Sequence, residues 1–271
     1  MEPLSASIIT YNSERTLPAC LDSVRWVDEV VILDSYSTDT TLEIARSHGC
    51  RVRQQRFLGY GRQRQVGWEM ATHRWVLVLD SDEVVSPELQ REIQELRGRG
   101  LTAAGYRIPR LEQLYWRMAH PRAHVTYFLR LFDRTKARMT DTPVHAVPTV
   151  EGRVERLKHP IRHYSKADIH AKVDTANNYS TDLVLDRVAR GRGGNPWICV
   201  YYPPLYFLRS FVLHRQFLNG WAGFFASVLS AVYVFLKYAK VYEHRCVQRH
   251  GNRLLPDRVP LLDRRRDRRP A

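Results

Sequence analysis

The 271-residue chain has no Cys-x-x-Cys pair: its four cysteines, Cys20, Cys50, Cys199 and Cys246, stand far apart. That spacing excludes a zinc cluster, offers no disulfide framework and fits a reducing compartment. The opening residues, Met1-Glu2-Pro3-Leu4, lack the basic segment, apolar stretch and cleavage site of a secretory signal. This predicts that the N-terminal domain stays in the cytoplasm. Net charge is almost missing from the first half, where residues 1–150 carry 20 Lys or Arg against 18 Asp or Glu. The second half carries 22 against 10, so nearly all of the formal charge of +14 lies there. Such an excess can serve nucleic acid, anionic lipid headgroups or a phosphorylated substrate. No nucleic-acid-binding module is recognisable, so nucleic acid is an unlikely partner, although the basic and aromatic stretch Tyr115 to His124 and the Arg-rich tail fit one by charge. A hydrophobic content of 44% is enough for a substantial core and excludes wholesale disorder.

The richest stretch present is Trp75-Val76-Leu77-Val78-Leu79-Asp80-Ser81-Asp82-Glu83, an apolar run closed by three carboxylates. It reads as a buried strand that delivers acids to a sheet edge. Like charges crowded there need a cation or a polar ligand among them, and hard oxygen ligands favour magnesium or manganese beside phosphates. A solvated acidic turn is the plain alternative.

The pattern recurs upstream. Leu4 to Thr10 is an apolar strand candidate, followed by Asn12 or Ser13 as cap of a helix reaching about Val24, and Val30 to Asp34 is a second strand ending in an acid. Asp39 or Thr38 caps a helix from Thr40 to His48, Arg51 to Gln55 is a weak strand, Arg62 to Thr72 a helix, and Ser86-Pro87 starts another. Alternating strands and helices predict a mainly parallel sheet with its ligand beyond the carboxyl strand ends, where Thr10 to Asn12, Asp34 and Asp80 to Glu83 all fall. Gly105 to Arg110 and Tyr127 to Phe132 read as further strands, and Asp168 to Arg190 has helical spacing before the Gly191-Arg192-Gly193-Gly194 break. Beyond it, Trp197 to Leu213 is apolar but interrupted, and Phe217 to Leu236 runs twenty residues without a charge. Basic residues flank this run on both sides, so a re-entrant hairpin or an interfacial helix suits it better than a single span. Gly223, Ser227 and Ala231, four apart, favour close helix packing, and the tail from Arg258 reads as disordered and able to touch anionic lipid.

Ser5 to Asn12 (SASIITYN), Val30 to Thr41 (VVILDSYSTDTT), Gly59 to Gln65 (GYGRQRQ) and Trp75 to Pro87 (WVLVLDSDEVVSP) resemble, in order and spacing, the family 2 glycosyltransferases. Leu129-Arg130-Leu131-Phe132, Val144-His145, the Leu157 to Ser165 segment ending in His163-Tyr164-Ser165, and the Phe217 to Lys240 stretch resemble the bacterial beta-glycosyltransferases of lipopolysaccharide core assembly. The resemblance implies an α/β fold of the Rossmann-like, nucleotide-sugar-binding A type, with a mixed, mainly parallel sheet and a C-terminal apolar helical appendage at the membrane. It divides the chain into a donor-binding half (1–100), an acceptor-side half (101–190), a membrane-associating region (195–245) and a basic tail (246–271). It places Asp34 on the uracil or ribose of a UDP-linked donor, Thr10 and Asn12 on the floor of that pocket, Arg64 near the nucleotide, Asp82 on a divalent metal (Mg2+ or Mn2+) and Asp80 on the ribose or a metal water. The implied acceptor is a lipopolysaccharide-core or other lipid-linked glycan at the cytoplasmic face of the inner membrane, with an anionic membrane surface as a further partner.

The chain departs from that subgroup where its catalytic base is expected: Ala146 follows His145 where an acid is common, and Val125-Thr126 precedes the later strand where another acid often stands. Asp141 and His145 are the remaining candidates for the base, with His145 also a possible metal ligand. Asp141 can instead cap a turn with Thr142-Pro143, and His145 can be an ordinary half-buried histidine. A catalytically inactive, nucleotide-sugar-binding member is the alternative.

Overall fold

The computed structural model describes residues 1–140, 147–164, 168–191 and 195–250. In chain order the strands are β1 (Leu4–Thr10), β2 (Glu29–Asp34), β3 (Arg51–Gln54), β4 (Trp75–Asp80), β5 (Glu83–Val85), β6 (Gly105–Leu114), β7 (Arg117–Met118), β8 (Thr126–Asp133), β9 (Ala137–Met139), β10 (Pro148–Val150), β11 (Val154–Arg156) and β12 (Ile161–His163). The α-helices are α1 (Leu17–Asp22), α2 (Thr41–Ser47), α3 (Tyr60–Glu69), α4 (Pro87–Arg99), α5 (Ile169–Ala189), α6 (Trp197–Leu208) and α7 (Gly220–His250). They fall into two compact units, Met1–Gln113 with Val125–Ser165, and Leu114–His124 with Lys166–Ala271. Helix α5, which the sequence groups with the acceptor-side segment, thus lies in the second unit.

The first unit is built on the expected mixed sheet, whose path runs β3-β2-β1-β4-β8-β6-β12-β5. Strands β1 to β4 pair in parallel, and β8 is antiparallel to both β4 and β6. Their near-continuous apolar runs are what two covered faces require. On one face Ile8, Ile32 and Leu77 pack with Leu17, Leu89 and Ile93; on the other Val31, Val76 and Val78 pack with Trp68 and Phe132. Helix α3 approaches β1 closely, since a Cβ on Gly67 would stand 2.9 Å from Ser7 Oγ.

Register decides what the sheet presents. Thr10 lies opposite Asp34, and Ile9 opposite Asp80, so the three polar strand ends stand side by side. The chain winds to β2 on one side of β1 and to β4 on the other, which is where such sheets open a crevice. Helix α4 starts as its sequence predicts, with Pro87 in the first turn and Ser86 Oγ accepting from the Leu89 N–H at 3.2 Å. Helix α1 starts later than expected. Asn12 Oδ1 accepts from the Thr38 N–H at 2.8 Å and the Ser13 N–H donates to Thr41 Oγ1 at 2.7 Å, so both predicted caps are drawn to the β2–α2 loop.

The second unit is helical. Helix α7 packs against α5 and α6, and α6 leads through a π turn (Arg209–Leu213) and a 3-10 turn (Gln216–Asn219) into α7. The small residues act here as their spacing predicts: a Cβ on Gly223 would meet the Gln216 carbonyl at 1.8 Å, and the buried Ser227 hydroxyl lies 3.1 Å from that of Ser210. The segment 114–124 joins this unit through His120 N–H to Asn219 Oδ1 at 2.6 Å and His124 N–H to the His214 carbonyl at 3.0 Å. The helical run Gln216–Arg249 is long and apolar enough to cross a membrane by length and composition, with a mean hydropathy of 1.5 in its most apolar window. Large apolar side chains stay exposed on α6 and α7, Trp197 at 69% and Trp221 at 70% among them, and Leu213 in the turn between is 74% exposed.

Candidate active site

The turn that closes β4 is pinned from four directions. The Glu83 carboxylate accepts from the Asp80 N–H at 2.9 Å, the Tyr164 N–H donates to the Asp82 carbonyl at 2.8 Å, Ser81 Oγ meets Ser13 Oγ at 2.8 Å, and the Cys20 thiol donates to the Asp80 carbonyl at 3.6 Å. The predicted acids are therefore held on a rigid element, as a positioned site requires.

Their side chains enter a continuous chain of alternating charge. Arg64 grips Asp80 with three hydrogen bonds of 2.9 to 3.0 Å, and Arg130 donates to the same carboxylate at 3.1 Å and to Glu83 at 2.5 Å. Glu83 accepts from Arg110 at 3.2 Å, Arg110 donates to Glu112 at 2.7 Å, and Glu112 meets His163 Nδ1 at 2.6 Å. His163 Nε2 then stands 3.2 Å from Asp82. The path leaves the turn at Asp80 and returns to it at Asp82, through β8, β5, β6 and β12, with Arg64 of α3 joined to it at Asp80. Phe128 lies beneath two of its members, 4.4 Å from the Arg110 guanidinium and 5.7 Å from that of Arg130.

Burial separates the acids by function. Glu83 is fully buried, and burial pushes its carboxyl pKa up against the pull of Arg130. For Asp80 burial acts in the same direction, but Arg130 and Arg64 overcome it and hold the carboxyl well below the usual range. Asp82 is the more open, at 34% side-chain exposure, with His163 as its ion-pair partner. Burial alone would lower the His163 pKa; hydrogen bonds to Asp82 and Glu112 raise it instead to about 9. The imidazole is accordingly a cation at neutral pH, a donor rather than a base.

A divalent cation fits Asp82 better than Asp80. Both Asp80 oxygens are engaged by guanidinium groups, whereas Asp82 offers a more open carboxylate whose one ion-pair partner among the described residues, His163, a divalent cation would have to displace. Among the described residues no group of three His, Cys, Asp or Glu side chains is arranged to hold a metal. Mg2+ commonly binds one or two carboxylates and completes its shell with water and substrate phosphate, so a single protein carboxylate at a phosphate site is a workable donor set.

The other predicted residues separate in an informative way. Asp34 is fully buried and accepts from Thr10 Oγ1 at 2.9 Å, the Ser37 N–H at 2.9 Å, Ser37 Oγ at 2.5 Å and Gln54 Nε2 at 3.2 Å. It organises the loop after β2, with Thr10 as its partner, and Asn12 ties that loop to the one after β1. Asp39, predicted as the cap of α2, stands one residue before the actual N-cap Thr40 and accepts from the Thr41 N–H at 3.0 Å and the Glu14 N–H at 3.1 Å. Asp141 and His145 lie outside the described residues. Sequence reasoning did not single out Glu112 or Arg110. Neither has a local signal, since Glu112 finds His163 across 51 positions and Arg110 finds Glu83 across 27. His163 does stand in a segment that the family resemblance marks.

Loop strain adds one further feature. Tyr36 is 53% exposed and adopts φ +63°, a left-handed conformation costly for a bulky side chain. A Tyr36→Gly variant is expected to be about 1 kcal/mol more stable than Tyr36→Ala, because only glycine escapes that cost. Urea denaturation of the two variants checks this, and equal midpoints would contradict it.

A family model and curated relatives point to one family. A family model described as glycosyl transferase family 2 matches residues 5–151. A lipopolysaccharide core biosynthesis glycosyltransferase, LpsC, of Rhizobium meliloti is 29% identical over 92% of this chain and 96% of its own length. An uncharacterized glycosyltransferase of Rickettsia typhi is 31% identical over 90% of this chain and 88% of its own. Among solved structures, S. aureus TarS (residues 1–349) aligns over 92% of both chains at 17% identity, with a TM-score of 0.49.

Proposed function

The chain belongs to glycosyl transferase family 2, and from that premise we propose that it is a metal-dependent inverting enzyme that moves a sugar from a UDP-linked donor to a lipopolysaccharide-core or other lipid-linked glycan. The observation that carries this reading is the division of labour at the β4 turn: Asp80 is saturated by Arg64 and Arg130, while Asp82 remains open toward the crevice. The acceptor class is supported by the likeness to LpsC, whose name assigns it to lipopolysaccharide core biosynthesis. The net positive second half of the chain and the exposed apolar residues of α6 and α7 suit an acceptor embedded in an anionic membrane surface at the cytoplasmic face.

The chemistry asks three things of these residues. The donor's diphosphate must be oriented, and the loops after β1 and β2, tied together through Asn12, Ser37 and Thr38, form the wall where the nucleoside would lie. Charge must be stabilised as the diphosphate leaves; a divalent cation on Asp82 would supply this by neutralising its oxygens. Asp80 serves as the anchor that keeps Arg64 at the crevice rim, and His163 holds Asp82 in place. The acceptor hydroxyl must finally lose a proton to a base within hydrogen-bond reach. Asp141 and His145 are the residues proposed for that step.

A screen of nucleotide sugars with and without Mg2+ or Mn2+, read by thermal denaturation, tests the donor side. A ligand at a hundred times its dissociation constant adds about 2.7 kcal/mol to the folded state, a shift of several degrees. Stabilisation by a UDP-sugar only with metal is expected. Stabilisation that is the same without metal would remove the cation from the reading, and none from any nucleotide sugar would remove the donor.

A further inference from the structure

Helices α5, α6 and α7 bring together two cations that no carboxylate among the described residues answers. The Arg187 guanidinium lies 4.6 Å from the centre of the Tyr238 ring, and the Lys237 ammonium lies 4.9 Å from the same ring and 5.8 Å from that of Tyr233. Tyr202 of α6 packs edge-on against Tyr238 at 5.7 Å. Two like charges sharing one ring repel each other unless an anion joins them. Among the described residues neither cation has a carboxylate within ion-pair distance, although Arg190, one turn along α5, pairs with Asp186 at 2.9 Å.

Two further facts set the pair apart from ordinary surface charge. Arg187 Nε is shut off from solvent and has no hydrogen-bond partner, an arrangement that costs free energy. Burial first, and Arg187 second, hold the Lys237 ammonium below its ordinary pKa. The same helices satisfy a lysine fully close by: Lys240 donates to the Asn177 carbonyl and Oδ1, Ser180 Oγ and Thr181 Oγ1, all at 2.7 to 2.8 Å. The fold thus gives Lys240 oxygen acceptors, whereas Arg187 and Lys237, equally half-buried, meet tyrosine rings instead.

We propose that Arg187 and Lys237, framed by Tyr233 and Tyr238, form a binding site for the phosphate of an anionic phospholipid headgroup. Arginine matches the fork of phosphate oxygens, lysine adds a point charge, and the tyrosines are rings suited to the membrane interface. The lipid is favoured over a soluble phosphate because α6 and α7, which carry Lys237 and the tyrosines, also expose Val200, Leu205, Phe235 and Trp221. Exposed apolar side chains beside cations are the composition of an interfacial element. This site deepens the reading that the second unit meets a membrane, and rests on it.

Sedimentation of the full chain with vesicles tests the proposal, using phosphatidylcholine alone and phosphatidylcholine mixed with phosphatidylglycerol. Arg187→Gln/Lys237→Gln is expected to lose about thirtyfold in affinity for the mixed vesicles, at about fivefold per cation. The control Arg245→Gln/Arg249→Gln removes the same charge from α7 and is expected to lose about threefold at most. Equal losses in the two doubles would mean diffuse electrostatics and overturn the site. If the first double is unfolded by circular dichroism, Lys237→Gln alone decides, with about a fivefold loss expected and no loss overturning the proposal. Glycerol phosphate that stabilises the wild type and displaces it from no vesicle would assign the site to a soluble phosphate instead. Failure of the wild type to sediment with either vesicle would dismiss the membrane reading itself, which is a separate outcome from loss of the site.

Discussion

Asp82→Asn is expected to lower sugar transfer by about a thousandfold or more while leaving the fold in place. The substitution keeps the shape of the side chain and its carbonyl acceptor, so the turn held by Tyr164, Ser13 and Glu83 should persist. What it removes is the charge proposed to hold a divalent cation beside the leaving diphosphate. Losing the stabilisation such a cation would supply costs about 4 kcal/mol or more, on the scale of a single preorganised contact to developing negative charge. Two measurements separate the roles. Transfer from a labelled nucleotide sugar reports the chemistry, and Mn2+-dependent thermal stabilisation in the presence of UDP reports the cation. Loss of transfer with Mn2+ stabilisation intact would move the metal to another residue, and unchanged transfer would remove Asp82 from the site altogether.

The convergence of these strand ends was legible in the chain because the acids that close β2 and β4 each end an apolar run, and a parallel sheet places the ends of neighbouring strands together. Asp34 and Asp80 needed nothing more than periodicity and the winding rule to be put at one edge, and the register bears that out. The arginine and histidine partners were less legible for a physical reason. Arg130, Arg110, Glu112 and His163 lie on β8, β6 and β12, whose pairing is fixed by long-range closure of the sheet, so no local pattern announces which cation will face which acid. Arg130 shows the consequence. It is 6% exposed and committed to Asp80 and Glu83. The capping of α1 was misread for a related reason. Asn12 and Ser13 are good local caps, but the segment after β2 offers them partners that lie 26 and 28 residues away.

Arg130→Met should destabilise the protein by about 3 to 5 kcal/mol, the cost of stranding a buried charge whose partner has been removed. The methionine fills much of the same volume, so the loss is electrostatic rather than a cavity. Asp80 keeps Arg64 and so keeps most of its compensation, whereas Glu83, at 0% exposure, is left with Arg110 and the Asp80 N–H. Burial already pushes the Glu83 pKa up, and without Arg130 it must rise further. The sign of the pH dependence follows. A carboxyl whose folded-state pKa lies above its unfolded value binds the proton more tightly when folded, so the variant should lose stability as pH rises from the unfolded value toward the folded one. Lowering the pH toward about 4.5 should therefore narrow the gap between Arg130→Met and the wild type, and urea midpoints at acidic and neutral pH measure it. Arg130→Met/Glu83→Gln removes the stranded charge and should recover part of the lost stability at neutral pH, with little further change on acidification. A gap that widens at low pH, or a double variant no better than the single, would show that Arg130 stabilises this strand end by packing on Phe128 rather than by answering Glu83.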